Sequence, residues 1–195
     1  MHSLNKGSEV FKFITIFILV LSGFVARAAV FKCSENGFQF EYDDTAWELV
    51  PQAAATGADV DKKMAEKTLV TVQRKLADTK YHSRFSIVTD NAERFAKEGK
   101  SLLESYRDHA AEFLKEQRFQ SVSTQEAKLS KVATPAFELT GNQRDFGLKF
   151  HQLVFLKDET AYLLTVAARS DKFEIQAAEL QKFFDTFQFT QGKKP

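Results

Sequence analysis

The sequence predicts an α+β fold: a mainly antiparallel β-sheet covered by two amphipathic helices, an α/β/α sandwich. Three observations carry this. Two stretches place apolar residues at three- and four-residue spacing, the period of a helix with one buried face. Several shorter stretches alternate with period two and are separated by turn chemistry, as strands in successive hairpins do. In 153–156 (LVFL) and 162–168 (YLLTVAA) both faces are apolar, which places those strands at the centre of a sheet covered on both sides.

Residues 1–28 stand apart from this domain and read as a secretory signal peptide. Lys6 and Lys12 supply the positive region, Phe13 to Val25 the apolar region, and Ala26-Arg27-Ala28 an A-x-A signal for cleavage between Ala28 and Ala29. The thirteen apolar residues make about 20 Å of helix, against roughly 30 Å of hydrocarbon core. Cleavage is therefore expected rather than retention as an anchor. A single globular domain, residues 29–195, follows. No second apolar run follows either, so no stable membrane insertion is expected after cleavage, and the expected location is periplasmic or secreted.

Along the domain, Gly37 to Tyr42 alternates with Phe38, Phe40 and Tyr42 on one face, and Asp43-Asp44-Thr45 ends that strand in a turn just before Trp47. Residues 51–66 are small, polar and punctuated by Pro51 and Gly57, the composition of a surface loop. Residues 67–76 alternate around Val70, Val72 and Leu76 and residues 83–89 around Phe85 and Ile87, and they form an antiparallel hairpin through Asp78-Thr79-Lys80. A first helix is expected over about 94–117, from Phe95 to Leu114. Four strands are expected near 119–128, 134–141, 146–157 and 160–168, turning at Gly141 to Arg144 and at Lys157 to Glu159. A second helix, 171–186, starts from Ser170-Asp171 as its cap.

Composition narrows the function. Among 195 residues, 27 basic and 26 acidic groups give a formal charge of +1, with no cationic excess for nucleic acid. One cysteine excludes an intrachain disulfide framework and a multi-cysteine metal site. Cys33 lies in an unpatterned segment and reads as a structural or incidental thiol, with an intermolecular disulfide as the alternative. No nucleophile elbow or phosphate-cradling glycine loop is present. His82, His109 and His151 form no metal-ligand spacing. His109 falls among the charges of the first helix, and His151 alternates outward beside Lys149. Glu41, Asp43 and Asp44 are the densest acids, and a strand-ending turn explains them better than acid–base chemistry or calcium. The twenty phenylalanines follow structural periods and read as core. No catalytic residue, metal or cofactor is assigned.

The phrase from Gly37 to Leu49 (GFQFEYDDTAWEL), the central helix, the hairpins over 134–168 and the ending Phe183 to Phe189 (FFDTFQF) resemble the PsbP/DcrB-like superfamily of small exported α/β/α sandwich proteins. The resemblance implies that sandwich fold and a non-enzymatic accessory role beside a membrane-associated complex. It transfers no catalytic residue. The expected function is accordingly an exported accessory protein that binds a protein partner at the cell envelope. Asp43, Asp44 and Trp47 are the candidate contact surface, joined by the 51–66 loop and the charged face of the first helix, and the Trp47 ring is itself expected to be buried for packing. A small-molecule or lipid carrier would instead need an apolar cavity above about 300 Å³. An enzyme would need His82 or His151 to converge with the acids at 41–44.

Overall fold

The computed structural model describes residues 28–51, 67–76, 81–129, 131–143 and 147–190. The signal-peptide reading and most of the 51–66 loop fall outside them, as does the turn at 78–80. The elements are β1 (Ala28–Cys33), β2 (Phe38–Asp43), β3 (Trp47–Val50), β4 (Thr68–Arg74), β5 (Arg84–Asn91), a 3-10 turn (Ala92–Phe95), α1 (Leu102–Glu116), β6 (Gln120–Ala127), β7 (Ala136–Gln143), β8 (Leu148–Lys157), β9 (Thr160–Arg169), α2 (Ser170–Thr186) and β10 (Gln188–Phe189).

Among the described residues, seven strands form one antiparallel sheet in the order β3-β4-β5-β9-β8-β7-β6. β9 is its middle strand, with β8 beside it, as their two apolar faces require. Tyr162, Leu164, Val166 and Ala168 of β9 join Leu153 and Phe155 of β8 in one core, closed by Phe173, Leu180, Phe183 and Phe184 of α2. The opposite faces of the same strands, through Ala161, Phe150 and Val154, pack against Tyr106 and Ala110 of α1. Each helix thus covers one face.

The α2 face carries a second sheet as well. β1 and β10 flank β2 antiparallel, so the N-terminal strands are a separate three-stranded sheet rather than part of the large one. Phe38 and Phe40 point from β2 into the α2-side core and are fully buried, each removal from water contributing about 1.5–3 kcal/mol. Thr186 at the end of α2 accepts a hydrogen bond from the Glu41 backbone N–H at 3.0 Å, tying that helix to β2. Cys33 is therefore not in an unpatterned stretch. It ends β1 opposite Phe38, a half-buried free thiol packed at the edge of this core.

Three boundaries differ from the periodicity reading. α1 starts at Leu102, not near 94, because Gly99 takes φ +76° and Ser101 then caps the helix. The Ser101 hydroxyl accepts from the Glu104 N–H, and the Glu104 carboxylate accepts from the Ser101 N–H at 2.8 Å, a complete capping box. Phe95 belongs to the preceding 3-10 turn. Ser170 is the first residue of α2 instead of its cap, and Asp171 pairs with Arg169 at 2.9 Å. The strand β7 runs through Gly141 to Gln143, so the hairpin turns later than its Gly-Asn sequence implies. Gly141 lies opposite Phe150, and a Cβ there would sit 2.6 Å from that ring. The glycine makes room for an aromatic neighbour rather than a turn. The β8–β9 hairpin does turn at Asp158-Glu159, both left-handed at φ 49° and 66°.

Candidate binding groove

The expected surface at the end of β2 divides. Asp43 Oδ1 accepts from the Thr45 N–H at 2.9 Å and from its hydroxyl at 2.6 Å, which holds the carboxyl below the usual carboxylate range. Asp43 and Asp44 are half-buried at this turn, whereas Trp47 is buried. Its indole is 2% exposed and offers no contact surface. The alternation of β3 points it inward, where Phe183 receives it.

The three histidines take separate partners. His82 Nδ1 lies 2.6 Å from the Arg74 carbonyl oxygen. His109 is not simply solvated among charges: its ring stacks on Phe95 at 3.6 Å, and burial lowers its pKa. His151 turns toward α2 instead of outward. Its ring meets Phe184 edge-on at 4.8 Å, and Nε2 sits 3.0 Å from Glu138 Oε1 without an aligned acceptor. Burial pulls the His151 pKa down, while the Glu138 carboxylate opposes that shift. Glu138 in turn accepts from Gln125 at 3.0 Å. None of these contacts joins a histidine to Glu41, Asp43 or Asp44. Among the described residues, no group of three metal-ligating side chains converges.

A concavity lies elsewhere among the described residues, between α1 and the connection from β6 to β7. It is an open groove of about 1060 Å³. Leu103, Leu129, Val132 and Phe137 give it apolar walls, and Arg107, Lys128 and Lys131 stand around it. Leu129 and Val132 are buried anchors of the connection, linked through the Val132 N–H to the Leu129 carbonyl at 3.3 Å. They belong to the α2-side core, whereas Leu103 and Phe137 belong to the α1-side core. The groove therefore marks the sheet end where the two cores meet. Of its acids, Glu104 is engaged by the Ser101 cap, which lowers its pKa, and Glu126 is exposed on β6. Residues 128–135 carry no strand or helix period, so sequence patterning passes over them. The available signal is two buried-type residues, Leu129 and Val132, inside an irregular connection.

No family model and no curated protein matches the chain. Solved structures do. The cyanobacterial PsbP of Synechocystis sp. PCC 6803 is 8% identical at a TM-score of 0.54, covering 86% of this chain and 95% of that one. LpqN of Mycobacterium tuberculosis, described as involved in cell envelope biogenesis, is 12% identical at 0.49, covering 86% and 87%. The Pseudomonas aeruginosa protein of unknown function PA94 is 9% identical at 0.43, covering 82% and 95%. At such identities the likeness to PsbP concerns the fold, and the α/β/α sandwich expected from the resemblance is the fold observed.

Proposed function

We propose that the protein is an exported, non-enzymatic accessory factor that binds a protein partner at the cell envelope through the groove beside α1. Export rests on the charged, apolar and A-x-A order of residues 1–28. Cleavage after Ala28 leaves Ala29–Cys33 of β1 to pair with β2. The observation that carries the binding reading is the groove itself. It is open, apolar at its walls and flanked by cations, while the three histidines and Asp43 end in local structural contacts. Among the described residues, no helix is long and apolar enough to cross a membrane.

A carrier of small apolar ligands is the second reading, and the groove volume favours it, since ligand pockets run to roughly 300–1,000 Å³. Against it, the groove is open to solvent rather than enclosed. Native mass spectrometry of the protein purified from its own envelope separates the two. Partner binding predicts an unliganded mass beginning at Ala29 and a partner retained after chemical cross-linking. A stoichiometric small molecule released on denaturation would establish the carrier instead.

A further inference from the structure

The edge strand β6 ends in the groove, and its outer side has no neighbour among the described strands. We propose that the occupant is an extended, alternating apolar and acidic segment of the partner protein, which adds to β6 as an eighth strand. This rests on the partner-binding reading and specifies its chemistry.

The two edges of the large sheet are unlike. β3 is four residues long and runs into Pro51, which has no N–H to offer a neighbour. β6 spans eight residues, with Ser123 to Glu126 exposed and regular pairing to β7 from Ser123 to Ala127. It contains no lysine, arginine or proline, the residues that ordinarily block strand addition at an edge. Beyond the register irregularity between Gln120 and Ser123, the regular edge from Ser123 to Ala127 is a template for strand addition, in which backbone hydrogen bonds supply affinity and alternate side chains supply specificity. The backbone of β6 continues through Glu126, Ala127 and Lys128 along the groove wall. A strand added beyond Ser123 consequently passes the groove mouth.

Charge selects the occupant. Lys128 and Lys131 make no ion pair among the described residues, and Arg107 shares Asp108 with Lys100. Glu104, held ionised in the helix cap beside Arg107, and Glu126 are the acids of the lining, so three cations face two carboxylates. The one positive charge in excess matches carboxylates on the incoming strand, and the Leu103 wall on the α1 side matches its apolar side chains.

The test uses the purified exported protein and a fluorescent ten-residue peptide alternating valine and aspartate. Saturable binding is expected, with slowed amide exchange at 123–127. Methylating alternate peptide nitrogens should weaken binding at least about tenfold, because it removes the donors that pair with β6. K128E/K131E should weaken it about tenfold while leaving the melting temperature in place. Equal binding of a valine–lysine peptide, indifference to N-methylation, protection at β3 instead of β6, or displacement of the peptide by phosphatidylglycerol vesicles would each overturn the proposal. If K128E/K131E still retains the cross-linked partner while no peptide binds, the strand-addition mode is wrong and partner binding stands. If the unaltered protein retains no partner, the broader reading fails first.

Discussion

The indole of Trp47 meets the ring of Phe183 edge-on, with 5.0 Å between centroids and 82° between planes. Phe183 stacks in turn on Phe85 at 4.4 Å, so one aromatic column joins β3, α2 and β5. Trp47→Ala empties the outer end of that column. A loss of about 3–5 kcal/mol is expected in chemical denaturation, with Trp47→Phe recovering part of it. An unchanged midpoint combined with lost partner capture would return Trp47 to the contact surface.

Gly141 and Phe150 form a fitted pair across β7 and β8. Gly141→Ala forces the Phe150 ring off its seat, and Phe119, 4.9 Å from that ring, blocks its retreat. A cost of about 1–3 kcal/mol is expected. Adding Phe150→Leu should recover part of it, a coupling that a double-mutant cycle measures. Strictly additive effects would mean that the close approach is not what excludes a side chain at 141.

Stability should fall on mild acidification. Burial lowers the folded pKa of His151 and of His109 from 6.5, so the unfolded chain takes up protons first as the pH drops. Their contribution is complete above the unfolded value and is lost as the pH falls through the lowered folded values. Melting temperatures measured from about pH 7.5 to 5 should decline, and His151→Gln should flatten the decline. A melting temperature that rises on acidification would mean that the Glu138 contact outweighs burial.

What the sequence made legible was periodic. The double-faced apolar runs at 153–156 and 162–168 located the sheet centre because a strand with two buried faces has nowhere else to sit. Both helices were visible from their spacing, but the Gly99 break and the Ser101–Glu104 box were absorbed into a longer period. Gly141-Asn142 carried turn chemistry, yet the reason for that glycine lay in Phe150, nine positions away and visible only once the strands pair. His151 read as outward-facing by simple alternation. Its face is set by α2, which returns after one more strand to cover it. The groove was illegible for a related reason: Leu129 and Val132 anchor to one core, Leu103 and Phe137 to the other, and no local pattern links them.

Binding through the groove requires that a partner occupy it in the cell. A photo-crosslinking amino acid at Ala133, an exposed residue of the groove wall, reads this in intact cells, with exposed Leu49 on the opposite sheet edge as the control. One discrete protein adduct is expected from position 133, diminished by K128E/K131E and absent from position 49. An adduct from position 49 but not from 133, or none from 133 at native expression, would contradict the account.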